Sequence, residues 1–482
     1  MVNIARRFFS VNHMLKPNQY TNDTLPKSKE VYAITMKTAY PSIIETFLIG
    51  LMSLASNIMV GALGGTVGDN AIAAVGITGQ PRMVLFACVF SLNVGVTAVV
   101  ARRKGEEDRV KANETLSQSL VICFIIVILM AIIGNTYAKP LMLLAGAKEN
   151  TQILDFAVQY FQITSIGFIF SSLAMVMNAG QRGVGNTKIS MVSNLTADTT
   201  SLIFNYLLID GNLGFPRFGV RGAAISVLIG NIVGFSMCLI NLTVAAKEDR
   251  FLKLRFKLSN FKLRAETLKS VANVSLSALV EQVCMRIGFF TYARLVAGLD
   301  TPTIPALTTY TVCMNIQNMS FTFGDGLNIA TSSLVGRSLG AKRPDMAIVY
   351  GKTSQRIGLV IASVLMCVFF FGRYHLIGLF THTDKVLQMG GVIMLLIAFA
   401  CPFQICQVVF NGSLRGAGDT KFVAVTSFIS ITFVRPILTW IFCYPIGWGL
   451  TGAWLSLVAD QMMRFSLSFW RFSKGEWTKK KV

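Results

Sequence analysis

Apolar residues run through this chain in long stretches, broken by short polar ones. Twelve such stretches can be marked, at 39–63, 72–100, 115–135, 156–179, 188–210, 222–245, 271–298, 304–335, 356–380, 388–412, 421–443 and 450–471. Each is about 20 residues or longer, the length at which an α-helix crosses a bilayer. The pattern predicts an all-α integral membrane protein with twelve transmembrane helices.

Between the fourth and fifth stretches lies Asn178-Ala-Gly-Gln-Arg182-Gly183-Val-Gly185-Asn186-Thr187-Lys188. Between the tenth and eleventh it returns as Asn411-Gly-Ser-Leu-Arg415-Gly416-Ala-Gly418-Asp419-Thr420-Lys421. Arg-Gly-x-Gly is turn chemistry, because glycine reaches positive φ without steric cost. The Asn186-Thr and Asp419-Thr steps predict caps for the helices that follow. Other landmarks recur at nearly the same offset. Ala101–Asp108 answers to Gly336–Asp345, Phe218-Gly219-Val-Arg-Gly222-Ala223 to Trp448-Gly449-Leu-Thr-Gly452-Ala453, and Pro41-Ser-Ile-Ile-Glu45 to Ser277-Ala-Leu-Val-Glu281. A repeat at fixed offset means two related halves. The expected architecture is two pseudo-symmetric six-helix bundles, related by an axis along the membrane normal. The segments are a tail at 1–37, a first lobe at 38–245, a basic linker at 246–270, a second lobe at 271–472 and a basic tail at 473–482.

Composition agrees: 53% of residues are hydrophobic and 14% charged, against about a quarter charged in soluble domains. The net charge of +21 raises the possibility of nucleic acid, but its placement argues against that partner. Of the 44 Lys and Arg, the connections on one side carry Lys139, Lys148, Arg217, Arg221, Arg373 and Lys385. Almost all the rest lie in the tails and the other connections. That asymmetry predicts cytoplasmic tails in a cell membrane, with a basic surface facing anionic inner-leaflet lipid. The first 37 residues lack the apolar core of a signal peptide. All nine cysteines fall within predicted helices and read as small apolar filler. The three histidines stand apart from them, so no metal site is expected.

Ionisable groups inside a bilayer are costly and are either functional or paired. The intramembrane acids are Glu45, Asp198, Glu281, Asp325 and Asp460, and the bases are Arg82, Arg286, Arg294 and Arg435. Asp198 falls near mid-membrane. It reads either as a proton or cation carrier or as a carboxylate held by Thr196, Thr199, Thr200 or an arginine. Glu45 and Glu281 lie near the cytoplasmic ends of equivalent helices. They read as first contacts for a cation or as ties between a helix base and nearby loops, and Met285 lies one turn beyond Glu281. Asp325 is flanked by Gly324 and Gly326, which permit a helix break with carbonyls free for a cation. The other reading is an ion pair with Arg286 or Arg294. Asp460 predicts an intrahelical pair with Arg464.

The paired Arg-Gly-x-Gly-Asn/Asp-Thr turns, the Gly-Ala motifs before helices six and twelve, and the basic loops after helices two and eight together resemble the MATE multidrug and toxic compound extrusion family, prokaryotic type. The resemblance covers roughly residues 35–470. It implies a central cleft between two six-helix bundles and antiport of a drug, usually an amphipathic cation, against Na⁺ or H⁺, with no other cofactor. The cleft candidates are Glu45, Ser56, Gln80, Glu281 and Met285. The coupling candidates are Asp198, Glu281, Asp325, Glu45 and Asn205. Pro41, Arg182, Gly183, Gly185, Arg415, Gly416, Gly418, Asp419 and Arg435 are assigned to structure and conformational change. The chain departs from the family at its ion sites. Ser56 stands where many members carry Asp in helix one. Ser201 and Asn205 stand where an Asn and an Asp occur in helix five. Met285 stands where the sodium-coupled branch has Glu in helix seven, and helix ten lacks that branch's Asp. A lipid-linked oligosaccharide flippase is the alternative within transport, and an enzyme is not expected, because no nucleophile–base pair or ligand cluster is in view. The default state is a monomer.

Overall fold

The computed structural model describes residues 9–15, 19, 25–61, 65–149, 151–244, 250–254, 264–299, 306–380 and 383–480. Its backbone is almost wholly helical, with no strand among the described residues. The long helices are α1 (Ser28–Gly61), α2 (Gly65–Gly105), α3 (Arg109–Thr136), α4 (Gln152–Gly183), α5 (Thr187–Leu208) and α6 (Val220–Leu242), then α7 (Ala265–Ala297), α8 (Ala306–Gly340), α9 (Pro344–Phe371), α10 (Asp384–Gly416), α11 (Thr420–Cys443) and α12 (Gly449–Lys474). Nine of them are long and apolar enough to cross a membrane. Helices α5, α8 and α12 fall short on hydropathy because they carry the polar residues described below.

Several helices outrun their apolar stretch. Helix α1 begins at Ser28 rather than near Thr38, and α7 at Ala265, inside the segment read as linker. Hydropathy registers only the part of a helix that lipid covers, and polar turns continue it into water. The polar run Gly65–Asn70, which falls between the first two apolar stretches, is the first part of α2.

The chain forms two compact units, Met1–Ile43 with Leu276–Val482, and Ile44–Ser275. They are built alike. In the 44–275 unit, α4 packs against α2, α3 and α6, and α5 pairs with α6. In the other unit, α10 packs against α8, α9 and α12, and α11 pairs with α12. The second unit also takes in the start of α1. Val31 packs with Val335 and Leu339, and Ala39 with Leu327 and Val409.

The duplicated turns have the same geometry. Gly185 and Gly418 both take positive φ, +89° and +83°. The Asn186 N–H donates to the Gln181 carbonyl and the Asp419 N–H to that of Leu414, each at 2.8 Å, closing each helix end as a Schellman-type turn. The earlier glycine of each motif serves packing. A Cβ on Gly183 would meet Thr97 and Val100 of α2, and one on Gly416 would meet the Ser332 backbone of α8. The caps expected from Asn186 and Asp419 do not form. Asn186 Nδ2 donates to Gln181 Oε1, and Asp419 is taken by Arg471 at 2.8 Å and Lys480 at 3.7 Å.

Candidate functional site

Each turn ends a helix on an arginine, and each arginine reaches a glutamate of the first helix of its lobe. Arg182 Nη2 donates to Glu45 Oε1. Arg415 Nη2 donates to both Glu281 oxygens, at 2.7 and 2.8 Å. Both glutamates are buried. Each accepts a third group from the helix after the turn, Asn194 Nδ2 onto Glu45 Oε1 and Ser427 Oγ onto Glu281 Oε1. The parallel extends outward. Cys238 Sγ donates to Asn178 Oδ1, and Ser468 Oγ to Asn411 Oδ1, at 3.3 and 3.1 Å. Asn178 and Asn411 are the first residues of the two repeats. The same constellation is thus built twice, from residues at corresponding positions. Asn194, Ser427, Cys238 and Ser468 escaped the sequence reading. Only the repeat offset could have paired them, since the residue types differ.

The two copies diverge in their surroundings. In the 44–275 unit, Asp198 lies one helical turn beyond Asn194 on the same face of α5. It has no hydrogen-bond or ion-pair partner among the described residues. The Thr196 and Thr200 hydroxyls donate instead to the carbonyls of Val192 and Thr196. Glu45 is the charged group that acts on Asp198. Glu45 Oε2 is buried and unpartnered among the described residues.

In the other unit a second ionic cluster is fully buried. Asp460 of α12 binds Arg464 one turn on, at 3.0 Å, and also Arg435 and Ser430 of α11. Arg435 lies over the rings of Phe289 and Tyr292, 5.1 and 5.7 Å from their centroids. Pro436 lacks a backbone N–H, and α11 widens into a π-helical stretch, Phe428–Val434, just before it, which is how a helix absorbs such a residue. Corresponding positions in the first unit carry glycine. Gly230 and Gly234 stand where Asp460 and Arg464 would be, and they press α6 onto Ala197 and Ser201 of α5.

Asp325 is exposed and makes no ion pair among the described residues, with Arg286 and Arg294 or otherwise. It acts electrostatically on Arg415 and Glu281. The expected break around it is absent, and α8 runs through. Gly324 packs on Val408 and Gly326 on Ile43, so these glycines serve close approach.

Ser56 and Asn205, the positions at which the sequence departs from the family's acids, meet each other, with Asn205 Nδ2 donating to Ser56 Oγ at 2.8 Å. Ser201 Oγ donates to the Ser226 carbonyl. This junction is neutral. Helix α1 continues unbroken through Pro41. Met285 lies half-buried on α7, and Arg82 acts electrostatically on Tyr160. Arg294 is exposed. Gln80 lies in α2, and its side chain is outside the described set. No group of metal-binding side chains occurs among the described residues.

The family model MatE matches twice, over residues 41–207 and 277–441, each match covering one of the repeats. Among similar sequences, the uncharacterized transporter YisQ of Bacillus subtilis is 26% identical over 471 residues, spanning 97% of this chain and 99% of its own. A probable multidrug resistance protein NorM of Thermotoga maritima is 25% identical over 464 residues, spanning 95% and 96%. Among solved structures, a multidrug resistance MATE family transporter of the MOP superfamily, in an outward-facing conformation, superposes with a TM-score of 0.84. It has 20% identity and covers 92% of this chain and 97% of its own.

Proposed function

The chain belongs to the MatE family, and on that premise we propose that it is a secondary exporter of amphipathic organic cations, driven through alternating access by entry of H⁺ or Na⁺. It is a membrane transporter and not an enzyme. Relatives named as multidrug resistance proteins support the substrate class. The observation that carries the coupling is Asp198, a carboxylate inside a membrane helix that no partner among the described residues neutralises. Such a group needs a cation to cross a low-dielectric region, and a group that gains and loses a cation is what coupling requires. The flippase alternative calls for Arg82, Arg286 and Arg294 to line a cleft unpaired; Arg182, Arg415, Arg435 and Arg464 are each paired with a carboxylate and are not free to hold phosphate.

The reading places both tails in the cytoplasm of a cell membrane and the basic surface against inner-leaflet lipid. Its test is dye transport in proteoliposomes holding the full chain, with proton and sodium gradients imposed separately. A fluorescent organic cation should move against its own gradient when one of the two is applied. No concentrative movement of any tested cation under either gradient would sink the reading.

A further inference from the structure

Three glutamines stand inside the unit that holds α8, α10 and α12. They are Gln317, Gln404 and Gln461, one from each helix, and they are 1%, 1% and 0% exposed. A buried amide needs hydrogen-bond partners for both its oxygen and its nitrogen. The three supply only one bond among themselves, from Gln317 Nε2 to Gln404 Oε1 at 3.2 Å. Gln317 Oε1, Gln404 Nε2 and both amide atoms of Gln461 are buried with no hydrogen bond among the described residues.

Helical register brings Gln461 to the other two. As alternate spans of a chain that crosses a membrane repeatedly, α8, α10 and α12 run the same way. Tyr310 of α8 packs against Trp454 of α12, with ring centroids 6.3 Å apart. Ser468 Oγ of α12 donates to Asn411 Oδ1 of α10 at 3.1 Å. Gln317 lies seven residues after Tyr310, and Gln461 seven after Trp454. Gln404 lies seven before Asn411, and Gln461 seven before Ser468. Seven residues are about two turns, which return a helix to the same face. The two contacts therefore bracket one level, and the three amides share it. The 44–275 unit does not repeat the group. Its corresponding positions carry Arg82, Ser171 and Asn231, and Ser171 Oγ is taken by the Phe168 carbonyl of its own helix.

The four remaining atoms set the ligand. One bond between two amides leaves one oxygen and one nitrogen over, whichever way the pair is turned. The third amide adds one of each. A sodium ion here would meet two amino groups, and a halide would meet two carbonyls. Water brings two protons and two lone pairs, and a buried water makes two to four such bonds. We propose that Gln317, Gln404 and Gln461 bind one water molecule, which joins α8, α10 and α12 inside the membrane-spanning part of this unit. It lies beside the ionic network, because Gln461 directly follows Asp460 and stands one turn before Arg464. The site is independent of the exported compound and of the coupling ion.

The experiment is diffraction from crystals of the full chain, at a resolution that shows ordered water. Some crystals are left untreated, some are soaked in rubidium chloride and some in sodium bromide. Untreated crystals should show one peak within hydrogen-bonding distance of all three side chains, and neither soak should place an anomalous peak there. Gln461→Leu should lose the peak and let Gln317 and Gln404 close into two mutual bonds. No peak in the untreated crystals, or a peak touching one helix alone, would overturn the proposal. So would rubidium at the site, which would make it a cation site, or bromide, which would make it an anion site. A Gln461→Leu crystal that keeps the peak would do the same. If Gln461→Leu fails to fold, the untreated and soaked parent crystals decide the matter.

Discussion

At the scale of single residues, the repeated unit is a glutamate clamped by an arginine and a small polar group. A buried ion pair adds little over an apolar pair of the same volume, but breaking it leaves an uncompensated charge. Arg415→Ala should therefore destabilise the protein by about 3–5 kcal/mol, and Ser427→Ala, which removes one hydrogen bond to Glu281, by about 1 kcal/mol. Melting in detergent measures both. Equal losses from the two would mean that Arg415 does not carry the clamp. The equivalence of Glu45 and Glu281 was legible, because both follow their repeat landmarks at the same spacing. Their partners Arg182 and Arg415 were visible only as turn residues. Nothing in a linear chain says that a turn arginine faces a helix whose sequence lies more than a hundred positions away. Asp198 was legible as an isolated acid, and Thr196 and Thr200 as neighbours. A threonine in a helix readily bonds the carbonyl four residues back, and that local bond took both hydroxyls out of the competition.

At the scale of elements, glycine carries the same letter for two physical jobs, and the sequence did not separate them everywhere. In Arg-Gly-x-Gly the second glycine supplies a left-handed backbone, while the first lets two helices touch. Gly418→Ala should cost about 1–2 kcal/mol, the penalty of a left-handed L-residue. Gly416→Ala should cost more, because the Ser332 backbone itself must move. Thermal melting of the two variants orders them, and the reverse order would remove the packing role given to Gly416. Around Asp325 the same reasoning erred. Gly324 and Gly326 suggested a broken helix, and they turned out to be contact points for α10 and for the start of α1. Composition could not decide this, because a helix interior tolerates glycine wherever a neighbour's packing repays the cost of about 1 kcal/mol.

At the scale of the whole molecule, the number and order of helices was the most legible feature, since a bilayer imposes a length on every apolar run. The asymmetry between the halves was least legible, since it lives in substitutions such as Asp460 for Gly230 whose consequence appears only when α11 and α12 pack. Both tails settle on one unit: Met14 and Leu15 share a core with Phe472 and Trp477, and Lys352 donates to the Met14 carbonyl. The two tails must therefore lie on the same side of the membrane, whichever side that is. Under the proposed orientation, which follows the positive-inside asymmetry, that side is the cytoplasm. In a background from which the nine native cysteines are removed, Lys27→Cys and Lys480→Cys should resist an impermeant maleimide in intact cells and react once the membrane is opened. Leu144→Cys, beyond the outer end of α3, should react in intact cells. Labelling of one tail but not the other would break the shared core just described, and labelling of both in intact cells would invert the orientation. That inversion would put the Arg182 and Arg415 turns on the outer face and reverse the direction in which the Asp198 site could pass its charge.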